Sequence, residues 1–106
     1  MENIRKFYGD TIVKLDNLNY KNYFNEFKVE YYKTFNNEKE NENSKFGIAV
    51  IKKIKIENNE ITEKKEIDGF LDTEEKADKL LYILKRNKVT PICVEDVIED
   101  LKWYWE

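Results

Sequence analysis

Apolar and polar side chains alternate most clearly in the middle of the chain, and that alternation predicts β-strands. From residue 24 to 35, Phe27, Val29 and Tyr31 fall on one face while Lys28, Glu30 and Tyr32 fall on the other, as a half-buried strand requires. Residues 36–44 are Asn- and Glu-rich and read as a polar loop. Strand character resumes over residues 45–57, where Phe46, Ile48, Val50, Ile54 and Ile56 share one parity, broken by Lys52, and Ala49, Ile51, Lys53 and Lys55 share the other. Asn58-Asn59 supplies residues that tolerate positive φ, so a tight antiparallel hairpin is expected, with the next strand running from Glu60 to about Gly69.

Beyond Gly69 the period changes from two to 3.6. Asp72 and Glu75 form a capping-box-like pair with Asp72 as N-cap, and Ala77, Leu80, Leu81 and Leu84 make one apolar stripe opposite Glu75, Lys79 and Arg86. Asn87 is the expected stop. Thr90-Pro91 signals a second helix, with Thr as cap and Pro in the first turn. Its apolar face comprises Val94, Val97, Ile98, Leu101, Tyr104 and Trp105; Glu95, Asp96, Glu99 and Asp100 lie opposite, and Ile92 falls on the acidic side. The first 23 residues hold no sustained period. Asp10-Thr11 precedes a candidate short strand through Ile12 and Val13, and Asp16 is a candidate cap for a weak helix.

These elements predict an α+β fold: a three-stranded antiparallel meander followed by two C-terminal helices packed on one face. The N-terminal arm, residues 1–23, either adds an edge strand or lies on the sheet, and residues 24–106 form a single compact domain. A length of 106 residues fits one core, and 41% hydrophobic content with six Phe, seven Tyr and two Trp supplies apolar surface against 39% charged residues.

Composition narrows the chemistry. With no histidine and a single cysteine, Cys93, the chain has no intramolecular disulfide, no Cys-clustered zinc site and no Ser-His-Asp or Cys-His mechanism. The apolar neighbours Ile92 and Val94 point to a buried, structural Cys93. The three glycines are isolated, so no phosphate-cradling loop is present. No apolar run has the length of a membrane span or a signal peptide, which points to a cytoplasmic protein without a membrane. Codon-linked usage of Lys, Asn, Ile, Glu, Tyr and Phe points to a low-GC bacterium or its phage.

Three features are candidates for function. Trp103 falls within the acidic face of the last helix beside Glu95, Asp96, Glu99 and Asp100; a Trp anchor in an acidic surround suits a partner with a basic surface. The plain structural alternative is that the helix frays and Trp103 covers the N-terminal arm. The second feature is a lysine cluster: a two-residue Asn58-Asn59 turn sets Lys53 opposite Lys64 and Lys52 opposite Lys65, an arrangement that an anion or a phosphate backbone would relieve. Its plain reading is a solvated strand face interspersed with Glu57, Glu60, Glu63 and Glu66, and a net charge of −3 with two arginines argues against nucleic acid. The third is the i, i+4 pairing of the four carboxylates, which lacks a Gly-containing calcium loop and reads more simply as a solvated face.

Val29-Glu30-Tyr31-Tyr32, Phe46-Gly47-Ile48, the Leu-rich helix, Asn87-Lys88-Val89-Thr90-Pro91 and Asp96-Val97-Ile98-Glu99-Asp100 together resemble a small domain of unknown function from clostridial-type, spore-forming bacteria, over about Glu26 to Leu101. The Val-Thr-Pro and Asp-Val-Ile-Glu-Asp pieces are its specific part, and it implies a bacterial cytoplasmic setting, a similar fold and no catalytic residue. The functional expectation is a non-catalytic regulator or phage-encoded inhibitor, without cofactor or metal, that binds a protein partner through Trp103 and the acidic helix. The alternative is an anion- or nucleic-acid-binding module built on Lys52, Lys53, Lys64 and Lys65. A homo-oligomer is compatible with either.

Overall fold

The computed structural model describes residues 3–14, 26–36, 46–56 and 58–101. Four strands, β1 (Asn3–Lys14), β2 (Glu26–Asn36), β3 (Phe46–Ile56) and β4 (Asn59–Leu71), form one antiparallel sheet in the order β1-β2-β3-β4, and α1 (Glu74–Arg86) and α2 (Val94–Asp100) follow. The sheet therefore has four strands where the alternation in sequence marks three. The missing one is the N-terminal arm, which adds an edge strand along nearly the whole length of β2. A bulge explains why it has no visible period: Phe7 pairs with Tyr32 and Gly9 with Tyr31, so Tyr8 is an extra residue and the inward parity changes across it.

One face of the sheet carries the core. Val29 and Tyr31 of β2, Ile48 and Val50 of β3 and Leu71 of β4 are buried against Ala77, Leu80, Leu81 and Leu84 of α1 and Val94 of α2. The α1 stripe thus does what its spacing predicts. Its start does not: Thr73, not Asp72, is the N-cap, its side chain accepting from the Lys76 N–H at 3.2 Å, while Asp72 pairs with the Lys76 ammonium. Asn87 ends the helix as expected.

The exit from α1 positions everything after it. Lys88 adopts φ 53°, the Val89 N–H donates to Leu84 O at 2.9 Å and the Lys88 N–H donates to Lys85 O at 3.1 Å, which is the bonding of a Schellman cap. Val89 is thereby turned inward, and its carbonyl accepts a buried hydrogen bond of 2.8 Å from the Tyr31 hydroxyl. Residues 91–93 then form a turn rather than the first helical turn, and Thr90 does not cap; α2 begins at Val94 with Cys93 as N-cap and no side-chain cap bond.

Glycine matters at the β3–β4 seam. Phe46 pairs with Leu71 and Ile48 with Ile67, so β4 holds two more residues than β3 there, and Gly69 takes φ 62°. Gly47 faces this bulge so closely that a Cβ would sit 2.1 Å from Ile67 O. Gly47→Ala is therefore expected to cost at least ~1–3 kcal/mol, because backbone must move to admit the methyl group. Tyr31→Phe, which strands the Val89 carbonyl, should cost ~1–3 kcal/mol, and Lys88→Gly should gain a few tenths to ~1 kcal/mol by relieving the left-handed residue. Urea unfolding midpoints measure all three.

Candidate functional site

The candidate residues lie on the two faces of the sheet and on α2. Pairing of β3 with β4 sets Ile56 opposite Asn59, so the hairpin turns one residue earlier than Asn58-Asn59 would make it. Every partner shifts by two, which preserves the faces and changes the charges. Lys53 meets Thr62 and Lys52 meets Glu63, while Lys64 and Lys65 meet Ile51 and Val50. The opposed lysine pairs expected from the sequence are absent.

Each of the four lysines has an acid instead. Lys52 lies 3.4 Å from Glu63 and also caps the Phe27 ring at 4.5 Å, Lys53 lies 3.3 Å from Glu30, Lys64 is within 4.0 Å of Glu66, and Lys65 lies 3.1 Å from Glu95 of α2. The last contact joins the two candidate surfaces, since Lys65 belongs to the hairpin set and Glu95 to the acidic set.

On the face away from the helices, charged side chains make a web that alternation alone does not reveal. Arg5 of β1 reaches Glu66 on β4, across positions filled by Thr34, Gly47 and Ala49, with its guanidinium 5.7 Å from the Tyr32 ring centroid. Glu30 is buried and receives the Tyr32 hydroxyl at 2.9 Å, with Lys28 and Lys53 ammoniums both at 3.3 Å. Burial pushes the Glu30 carboxyl up, but hydrogen bonds from Tyr32, Lys53 and Lys28 outweigh it and hold the group below its usual 4.5. On the helix face, Lys33 clamps α1 to β2 by donating to Glu74 and Asp78. Burial lowers the Lys33 ammonium and those two acids raise it, with a net upward shift.

On α2, Glu95, Asp96, Glu99 and Asp100 are all exposed. Like charges four apart disfavour a helix, and Glu99 and Asp100 sit at its negative end with no basic residue in the last turn. Ile92, 82% exposed, lies just before this face. Cys93 is exposed, which overturns its expected burial: the turn at 91–93 points it outward and gives the inward place to Val94. Trp103 lies outside the described residues, as do Tyr104 and Trp105. Among the described residues no three His, Cys, Asp or Glu side chains converge as metal ligands, and no helix is long and apolar enough to cross a membrane.

The segments that fix this architecture, from β1 beyond its bulge through the Val89 turn to the end of α2, match one family model across residues 11–102. The chain belongs to DUF6514, a family of unknown function. The DUF6514 match begins earlier than the resemblance read from β2 onward, because it takes in the end of β1 from Thr11. No curated protein and no solved structure matches the chain.

The Glu30 web predicts a pH signature. A carboxyl whose folded pKa is depressed stabilises the fold above its unfolded pKa, and that contribution is lost as pH falls through the folded value. Glu30→Gln should therefore be less stable than the parent chain at pH 7. The gap should narrow as pH drops below about 4, as urea titrations at pH 7, 4 and 3 would show.

Proposed function

We propose that this protein is a non-catalytic interaction protein that binds a partner protein through the acidic face of α2. The reading rests on one observation: Glu95, Asp96, Glu99 and Asp100 are all at solvent on one short helix beside the exposed Ile92, with like charges four apart and with Glu99 and Asp100 at the end whose dipole disfavours them. Glu95 also pairs with Lys65 of β4, so this acidic face adjoins the hairpin. A basic surface with an apolar pocket would neutralise the carboxylates and bury Ile92, and Trp103 is the further anchor in this reading. The setting that goes with it is the cytoplasm of a low-GC, spore-forming bacterium, where the chain acts as a cellular regulator or a phage-encoded inhibitor by occluding or tethering its partner.

The lysine-rich hairpin is the weaker alternative for an anion or nucleic acid, because Lys52, Lys53, Lys64 and Lys65 each have an acidic neighbour. A pulldown of tagged protein from its own host separates the two. Asp100→Lys should weaken capture of the partner while leaving the fold equal or more stable, by ~0.3–1 kcal/mol for the charge placed at the helix C-terminus. Trp103→Ala should weaken capture. Nucleic acid that co-purifies, and is lost only on Lys52→Glu/Lys53→Glu, would overturn the acidic-helix reading.

A further inference from the structure

We propose that the outer edge of β1 pairs with the same segment of a second copy, antiparallel, with the two-fold axis passing through Ile12. This surface uses neither α2 nor the hairpin lysines and stands apart from the reading above. β1 is an edge strand, with no strand on its other side among the described residues. It also bears three of the exposed large hydrophobics, Ile4, Phe7 and Ile12. The opposite edge is protected, since β4 carries Glu60, Glu63, Lys64, Lys65 and Glu66 and ends in the Gly69 bulge. Beyond its own bulge at Tyr8, β1 has no such protection over Thr11, Ile12 and Val13.

The segment Asp10-Thr11-Ile12-Val13-Lys14 is complementary to itself when reversed. Asp10, Ile12 and Lys14 pair with Glu30, Lys28 and Glu26, so the three share the helix-free face, while Thr11 and Val13 share the core face. With the axis at Ile12, Ile12 meets Ile12 of the second copy, Thr11 meets Val13, and Asp10 meets Lys14 twice by symmetry. Moving the axis to Thr11 or Val13 sets Asp10 or Lys14 against Ile12 instead. Placing it between residues opposes side chains from different faces. Both charges are accessible: Asp10 has its nearest cation, Lys28, at 3.7 Å with 48% of its side chain exposed, and Lys14 is exposed. A five-residue pairing falls well short of the roughly 800 Å² per partner of a standard interface, so the dimer is weak and concentration-dependent, with a dissociation constant on the order of 0.1 mM.

Sedimentation equilibrium of the full chain from about 1 μM to 1 mM tests this, with circular dichroism of each variant as the control for folding. The parent chain should dimerise. Asp10→Lys and Lys14→Asp should each weaken dimerisation by on the order of tenfold or more, because two attractive pairs become repulsive. Mixing the two single variants sets an all-cationic edge against an all-anionic one and should restore a 1:1 heterodimer; the double variant Asp10→Lys/Lys14→Asp should restore self-association. A chain that stays monomeric throughout overturns the proposal, and so does a dimer that survives both single variants or is not rescued by mixing them.

Discussion

The hydrogen bond from Tyr31 to the Val89 carbonyl is the constraint on which the arrangement of layers depends. It links the centre of the sheet to the one segment joining the two helices, and both ends are buried. Without it, burial of the Leu-rich stripe would still bring α1 onto the sheet, because apolar contact is non-directional. What the bond adds is an address along the strand. The Schellman cap aims the Val89 carbonyl, Tyr31 receives it, and Val94 of α2 is then delivered to the core only five residues later.

The opposite face is organised by charge. Burying Glu30 is tolerable because every neighbour that could satisfy it is a donor: Tyr32, Lys28 and Lys53 converge on its two oxygens. Arg5 and Glu66 lie across the sheet above Gly47 and Ala49, whose small size leaves the path open. The result is a sheet that buries Ala49, Ile51 and Thr34 on a face where, among the described residues, no helix packs. Long charged side chains cover these positions with their aliphatic stems, and their heads find partners in one another.

Most of the fold was legible where period and partner agreed. β2 and β3 stood out because apolar residues recur on one parity, with Lys52 the exception in β3; β4 followed from the Asn58-Asn59 turn signal, and α1 from Ala77, Leu80, Leu81 and Leu84 at helical spacing. β1 was hidden by its bulge, which changes the inward parity at Tyr8, and by Phe7 and Ile12, apolar residues that face away from the core. The cap at Thr73 and the turn at 91–93 were each misread by one to three positions, because Asp72, Thr73 and Thr90 all have the chemistry of a cap and only backbone geometry chooses among them. The lysine cluster was misread for a related reason. Its apparent self-repulsion followed from a turn placed one residue late, and the true register gives Lys52 and Lys65 acids that sequence spacing could not assign to them. The acidic character of α2 needed no register and was visible throughout.

That one-residue uncertainty is also a property of the molecule. A hairpin closing at Asn58-Asn59 would keep every apolar residue of β3 and β4 on the same face as the native one, so hydrophobic burial barely distinguishes the two. At the far end of the ladder Gly47 has no room for a side chain, and Gly69 supplies the left-handed turn that lets two surplus residues leave the ladder. The glycines thus act as a vernier on the hairpin. The Phe46–Leu71 pair belongs to the register that an Asn58-Asn59 turn would set, so the two glycines take up the two-residue difference between the native tip and the far end of the ladder.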